Sequence, residues 1–560
     1  MKRIYNRLFT CLVMALLSIN SLLAAGKVTK LEGDFKVGPA IILIIILISF
    51  IVIGFFNRAK DTSTYWAAGR KISAVGAGAA IASNWMSAAS FLGMAAIMYG
   101  AGYHGLVYIV GSTGGFVLLL LLMAGQIRRY GKYTASDFVG DRYYSQFMRG
   151  FGAVIALLIS FVYCIGQFAG IGLMFKWILG INFTWAVIIS AAIVLTYTLI
   201  SGMLGVTKNM MVQYFVIITS FMVPLFILTY KYGYFFLLPQ FGFGSAVTDI
   251  VNGLAPGKGL TAMGHSFGIL PSPEYVMPFD PATGKNAFQW IVLCFALMIG
   301  TAGLPHVIQR FYVVPKAKDA RWSVVWGLFF ICLLFWNAPV YSTFGKILSA
   351  NPEVGVLAKD AIVVYTAQLG AVYPLVVGLL AAGGISAAFS TVSGLLVTGA
   401  SALSHDLYYR TINPNATEEK QMVVARIGTF VMIVGVAFVS LLKLGLIVQL
   451  VAVAFSLAGC TIFPLFLLGI WWSGSNRTGG IAGLVTGTII SITAITYFVV
   501  GKLGGSLPGH AWMNMYMNAM YFAWVGAPIA ILVNILVSKF SKEETPEEIR
   551  KFLVEVVHGD

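Results

Sequence analysis

Apolar runs of about 20 residues, the length that carries a helix across a bilayer's hydrocarbon core, recur along this chain from near Val37 to near Ser538. Few architectures tolerate that pattern. Lipid offers a backbone no hydrogen bonds, so each run must satisfy its own amides as a helix, and the chain must be a polytopic membrane protein. The weak strand alternation of an outer-membrane barrel is absent. Charged residues make up 10% of the sequence, against about a quarter in a soluble domain.

The runs predict about 13 transmembrane helices, at 37–56, 72–100, 103–126, 150–178, 183–202, 206–231, 287–308, 322–348, 370–404, 423–442, 446–472, 478–501 and 517–538. Residues 1–25 have a basic start, a short apolar stretch and a small-residue end; they read as a signal peptide, with an extra N-terminal helix as the alternative. Residues 26–71 then hold the first transmembrane helix and an inner loop, 232–286 an external loop, 473–538 two accessory helices and 539–560 a cytoplasmic tail. A cleaved signal and an odd number of spans put the N-terminus outside and the C-terminus in the cytoplasm. That map gives the inner side about two thirds of the mature chain's basic residues, among them Arg128, Arg129, Lys132, Lys316, Lys318 and Arg321, as the positive-inside rule expects. The formal net charge of +16 is therefore topogenic and calls for no nucleic-acid partner. Cys164, Cys294, Cys332 and Cys460 stand alone in apolar runs and read as packing residues.

Every acidic residue falls in a loop, a tail or at the end of a span, which disfavours a carboxylate proton relay in the membrane. His306 is the one histidine near the working depth, and it reads either as a proton carrier or as a structural hydrogen-bonding group. A monovalent cation can be held without buried acids, by carbonyls freed where a helix unwinds and by nearby hydroxyls. Two runs suit that chemistry: GAGAAIASNWMSAASFLGMAA in the second span, and LMIGTAGLPHVIQR in the seventh, where Pro305 removes an amide donor. They open two consecutive five-helix sets, 72–231 and 287–472, the sequence pointer to an inverted-repeat transporter. A third run, LLAAGGISAAFSTVSGLLVTGAS in the ninth span, supplies hydroxyls that can face the first break. Each run alone reads equally as a small-residue packing seam. Arg310, two turns beyond the seventh-span break, is expected to stabilise the cytoplasmic end.

The motifs NWMSAASFLG (84–93), RYGKYTASDFVGDRY (129–143), GTAGLPHVIQRFYVV (300–314) and GASALSHDLYYR (399–410) resemble the sodium:solute symporter family, in particular its acetate permease branch, and the resemblance runs over nearly the whole chain. It implies the inverted five-helix-repeat fold first seen in a bacterial leucine transporter. It also implies a sodium site formed by the carbonyls of Ser83, Met86 and Ala387 and the side chains of Ser390 and Thr391, whereas some acetate permeases carry apolar residues at the last two positions. Thr134, Asp137 and Asp141 are expected to cap and tie an inner loop. The substrate would lie beside the breaks, against Trp85, Ser87, Ser90, Phe91, Tyr163, Gln167, Gly300 and Thr301, each of which reads equally as a packing or interhelical hydrogen-bonding residue. Free amides at the start of the second half-helix would receive a carboxylate.

The expected function is sodium-coupled uptake of a small monocarboxylate such as acetate across a bacterial inner membrane, with Na⁺ as coupling ion and no organic cofactor. A proton-coupled carboxylate carrier, a sodium symporter for another solute such as an amino acid, and a non-transporting membrane sensor are the alternatives. No clustered Ser/His/Asp or metal-ligand motif suggests an enzyme.

Overall fold

The structure is a computed structural model that describes residues 37–57, 59, 62–234, 239–255, 261–262, 265–280, 284–351, 359–370, 372–541 and 543–559. The signal-peptide expectation for 1–25 lies outside the described residues.

Among the described residues, ten helices are long and apolar enough to cross a membrane, or eleven if a bent pair, Ala287–Gly303 and Pro305–Val313, is one span. The larger number expected from the sequence reflects how the second and third runs fold. The second is broken, its first piece being only the 12-residue helix α2, Ala74–Trp85. After the break the chain continues through α3, Met94–Ala101, and a tight turn at Gly102 into α4, Val107–Leu122, so that Ala89–Leu122 reads as one apolar stretch. The fifth run contributes only a shorter apolar helix, Phe183–Thr196.

The remaining core elements are α1 (Val37–Phe56), α5 (Gln146–Leu179) and α6 (Phe183–Lys231), which turns sharply where Gly202 adopts φ 57°. They continue with α7 (Ala287–Gly303), α8 (Ala317–Phe335), α9 (Pro374–Ser401, prolonged as a π-helix to Ile412), α10 (Glu418–Ser440) and α11 (Ile447–Trp471). α12 (Arg477–Lys502) and α13 (Ala523–Phe540) complete the set. The expected external loop is partly structured: Pro239–Asn252 is a helix, and Thr261–Ala262 pairs with His265–Ser266 in a small hairpin. In the tail, Glu547–Lys551 is helical, and Leu553 and Val557 bury themselves where Arg129 donates to the Val557 carbonyl at 3.2 Å.

Burial sorts the helices. The apolar windows of α11 and of the α9 span are 94% and 83% buried, whereas those of α1, α10, α12 and α13 are each 33% buried, so the first two form the centre and the others face lipid. Contacts between the halves are reciprocal: α2 packs along α8, and α7 packs along α4. In the same way α5 packs on α11 while α6 packs on α9, and α5 meets α9 at the centre. This exchange of partners between corresponding helices is what an inverted repeat requires, and the fold is the all-α, leucine-transporter-like one.

Small residues permit the close crossings. A Cβ on Gly78 of α2 would lie 2.6 Å from the Trp326 Cβ and 3.0 Å from the Gly327 amide of α8. A Cβ on Gly115 of α4 would lie 2.6 Å from the Met298 carbonyl of α7. With no hydrophobic drive between helices in lipid, such contacts carry the packing. Gly78→Ala is expected to destabilise the detergent-purified protein by about 1–3 kcal/mol, seen as a lower unfolding temperature, whereas Gly244→Ala, with nothing within 4 Å, should be neutral or slightly stabilising.

Candidate functional site at the broken helix

α2 starts at Ser73, whose hydroxyl accepts the Gly76 amide, and runs through small residues to Trp85. Met86 then takes ψ 66°, outside the helical region, although its amide still reaches the Ala82 carbonyl at 2.7 Å. The next two amides do not continue the helical pattern. Ser87 N–H donates to the Trp85 carbonyl at 2.7 Å, so the Ser83 carbonyl loses its partner four residues on. Ala88 N–H donates to Gln167 Oε1 of α5 at 2.8 Å, so the Asn84 carbonyl loses its own. A buried carbonyl without a donor is costly, and α9 supplies the donors: Ser390 Oγ meets Ser83 O at 2.6 Å, and Thr391 Oγ1 meets Asn84 O at 2.7 Å.

Both hydroxyls also lie near the Ala387 carbonyl, at 2.8 Å from Ser390 and 3.2 Å from Thr391. Five neutral oxygens thus converge where only two hydroxyl protons are available to bridge them. Surplus lone pairs of this kind suit a dehydrated monovalent cation, and the donor set fits Na⁺ with no counter-charge of its own. Of the residues expected at such a site, Ser83, Ala387, Ser390 and Thr391 are brought together. Neither α9 hydroxyl donates to the Met86 carbonyl, also expected at the site; the second carbonyl of the broken helix that they meet is that of Asn84.

Beside this cluster lies a small cavity of about 20 Å³, room for a single water. Trp85, Ser87, Ser90 and Tyr163 line it. Phe455 of α11 closes one wall, its ring centroid 5.3 Å from that of Trp85 and 5.6 Å from that of Tyr163. Tyr108, Ser112, Leu297, Val448 and Val451 also line it and were not expected from the sequence; they sit in ordinary apolar helix patterns that carry no signal. Buried Trp85 Nε1 and Gln167 Nε2 have no hydrogen-bond partner.

The other expected substrate residues lie elsewhere. Phe91 stacks edge-on against Phe221 of α6, centroids 4.7 Å apart. Gly300 is a packing glycine whose Cβ would fall 2.4 Å from the Phe455 carbonyl, and Thr301 bonds back to Leu297 O at 2.8 Å while its Cβ crowds Gly115. Gln167 meets the break but not the cavity lining. The half-helix amides expected to receive an anion are occupied, Ala88 by Gln167 and Ala89 and Ser90 by the Ser87 hydroxyl at 3.1 and 3.4 Å. A serine at the start of a helix caps it in this way, and the arrangement leaves side-chain donors rather than amides to meet a ligand.

Two further expectations change. His306 is buried against the Tyr163 ring, centroids 5.3 Å apart, with neither ring nitrogen hydrogen-bonded, so no structural hydrogen bond explains it. Arg310 does not sit at the surface of the bundle: it is 1% exposed and reaches Thr207 of α6 at 3.0 Å. The inner loop behaves as expected, Thr134 capping the Asp137 amide at 2.9 Å and donating to Asp406 at 2.8 Å. Asp137, His405 and Asp406 come within 4.8 Å of one another in a grouping that could hold a metal ion. His405 Nε2 lies 3.1 Å from Asp137, Arg410 lies 4.0 Å from it, and Arg149 and Lys132 pair with neighbouring Asp141, so cations already surround the cluster. Burial raises the Asp137 carboxyl, but the His405 hydrogen bond and the charges of His405, Arg149 and Lys132 outweigh it and hold it below the usual carboxylate range. The cluster therefore reads as a latch between this loop and the end of α9.

An inverted-repeat bundle with a broken first helix, a neutral-oxygen cluster and an adjoining cavity defines a secondary transporter. The sequence profile of the sodium:solute symporter family matches residues 65–487, and the chain belongs to that family of solute transporters. It is 27% identical to an uncharacterized symporter of Cupriavidus necator, over 93% of this chain and 94% of that one. It is 30% identical to the uncharacterized symporter YwcA of Bacillus subtilis, over 79% and 82% of the two chains. Among solved structures, the substrate-bound outward-open state of a Na⁺-coupled sialic acid symporter superposes with a TM-score of 0.70 at 15% identity, covering 90% of this chain and 98% of that one, which shows a shared fold.

Because Gln167 carries the Ala88 amide at the break, Gln167→Leu should orphan that buried donor. A loss of about 1–3 kcal/mol in stability is expected, read as a lower unfolding temperature, with Gln167→Glu falling closer to wild type.

Proposed function

We propose that this protein is a sodium-coupled symporter that takes up a short-chain monocarboxylate such as acetate by alternating access, in a bacterial inner membrane, with its N-terminus outside and its 539–560 tail in the cytoplasm. The observation that carries the reading is the pairing of Ser390 and Thr391 with the Ser83 and Asn84 carbonyls across a broken helix. Sodium inserted there would take up the lone pairs of five neutral oxygens and bring the positive charge that a neighbouring carboxylate needs. Binding of each would favour binding of the other, so a sodium gradient could drive accumulation of the anion.

The cavity beside the cluster supports a small solute. Its walls are mainly apolar, with few polar groups: the hydroxyls of Ser87, Ser90, Tyr108, Ser112 and Tyr163, and Trp85 Nε1 without a partner. No carboxylate lines it to repel an anion. At about 20 Å³ the cavity is too small for a two-carbon acid, which enters only when the rings of Trp85, Tyr163 or Phe455 give way. Membership in the sodium:solute symporter family and the shared fold with a Na⁺-coupled symporter favour the sodium part of the reading.

His306 favours a second reading, proton coupling, because a buried imidazole with no fixed partner beside Tyr163 can load and unload a proton. Uptake of labelled acetate into proteoliposomes separates the two. A sodium gradient alone should drive uptake at constant pH; uptake undiminished without sodium and abolished when the proton gradient is removed would overturn the sodium reading. Ser390→Ala and Thr391→Ala should each raise the half-saturating sodium concentration about tenfold, the worth of one hydrogen-bonding ligand to a charged group, at normal expression.

A further inference from the structure

Arg310 is a buried charge that the proposed cycle leaves without a task. It sits in the Pro305–Val313 segment, 1% exposed, between α6, α2 and α9. Gln309 beside it is anchored the other way, to Thr398 at 2.7 Å and Ser401 at 3.1 Å of α9, which fixes the segment and aims the guanidinium at α6. There one nitrogen, Nη1, meets the Thr207 hydroxyl at 3.0 Å and the Met203 sulfur at 3.2 Å. Nε and Nη2 have no hydrogen-bond partner, and no carboxylate among the described residues pairs with the group. A buried guanidinium left this way is costly unless an anion visits it.

Its free edge is packed closely against Gly394 of α9 and the Asn84 side chain. A Cβ built on Gly394 would lie 3.0 Å from Arg310 Nη2 and 2.2 Å from Asn84 Oδ1, another buried atom without a partner. Gly394 is three residues beyond Thr391 on α9, about 4.5 Å along the axis, toward the Asp406 end. Asn84 is the residue whose carbonyl meets Thr391. Arg310 thus stands one helical turn from the neutral-oxygen cluster, on the side assigned to the cytoplasm. His306, one turn earlier in the same segment, touches Tyr163 at the cavity. Gly202, where α6 bends, immediately precedes Met203 and gives this wall a hinge.

We propose that Arg310 is a second station for the substrate's carboxylate, entered from the cavity past Tyr163 and His306 as the tail side opens. The proposal rests on the monocarboxylate reading above. Two free guanidinium N–H donors in a fixed fork match a carboxylate's two oxygens. A lone buried cation beside a sodium site also opposes retention of both cations unless an anion accompanies them. The station therefore acts on release and binding at one face only, which a structural arginine would not do.

The test is acetate exchange in right-side-out and inverted membrane vesicles, at alkaline pH where the lipid-permeant undissociated acid is scarce, with sodium equal on both sides. Arg310→Gln should raise the half-saturating acetate about tenfold or more at the face bearing the tail, and leave the opposite face within about twofold; Arg310→Lys should lie between. Met203→Glu keeps the arginine and supplies a resident carboxylate to Nη1; it should reproduce the one-sided loss, while Met203→Gln should not, and this pair decides the matter if the arginine variants fail to fold. Equal shifts at both faces, no shift in either series, or a dependence on chloride alone at unchanged acetate half-saturation would overturn the proposal. Wild-type vesicles that exchange no acetate would instead refute the monocarboxylate reading, and the acetate station with it; normal wild-type exchange with symmetric variants refutes the station alone.

Discussion

Two carbonyls, those of Ser83 and Asn84, lose their helical amides in the middle of the bundle, and the remainder of the site follows from how that loss is met. In lipid or in a dry interior an unsatisfied carbonyl cannot turn to water. Its donors must come from another helix at a fixed depth. Ser390 and Thr391 supply them on α9, whose apolar span is 83% buried, and Gln167 of α5 takes up one of the displaced amides at 2.8 Å. Two other helices are thereby tied to one unwound turn. Because the same oxygens are the ones a cation would take, binding there replaces the interhelical bonds that hold the break closed. A site built of exchangeable bonds is a natural place for ion binding to act on helix position.

The reciprocal packing of the two halves makes that turn movable without unpacking the core. α2 leans on α8 through Gly78 and Gly327, and α7 leans on α4 through Gly115, so backbone slides against backbone at both broken helices. α11, 94% buried, presents the Phe455 backbone to Gly300 and its ring to the cavity, joining the seventh-span break to the cavity wall. At the tail side the Asp137, His405 and Asp406 latch and the docked 543–559 segment hold the inner loop against the ends of α9 and α11. Opening that side must loosen these contacts and expose Arg310.

Much of this was legible in the sequence, for identifiable reasons. Apolar runs and their length fix a helical membrane bundle, and clustered small residues with Pro305 mark both breaks. The run in the ninth span stands out as a source of hydroxyls, and the resemblance to the symporter family singles out 390 and 391 within it. What the sequence hid depends on helix rotation and register. Phe91, Gly300 and Thr301 lie beside the breaks in sequence, yet they point into the seams with α6, α11 and α4. Asn84 joins Ser83 as a carbonyl partner of the α9 hydroxyls because two successive amides, those of Ser87 and Ala88, leave the helical pattern. The amides expected to bind an anion are capped by Ser87, a local bond that spacing alone does not reveal. The burial of Arg310 was hidden for a different reason: a charge near a span's end carries no sign of its depth, and its contacts with Thr207 and Met203 show how deeply it lies.

The central claim is that the unwound turn and the α9 hydroxyls together are a sodium site, and equilibrium binding of radiolabelled sodium to the purified protein tests it without relying on any substrate. Saturable binding is predicted, displaced by unlabelled sodium and not by potassium, and lost in the Ser390→Ala/Thr391→Ala double variant although its unfolding remains cooperative. Binding undiminished in a folded double variant would contradict the claim, as would wild-type protein that binds no sodium.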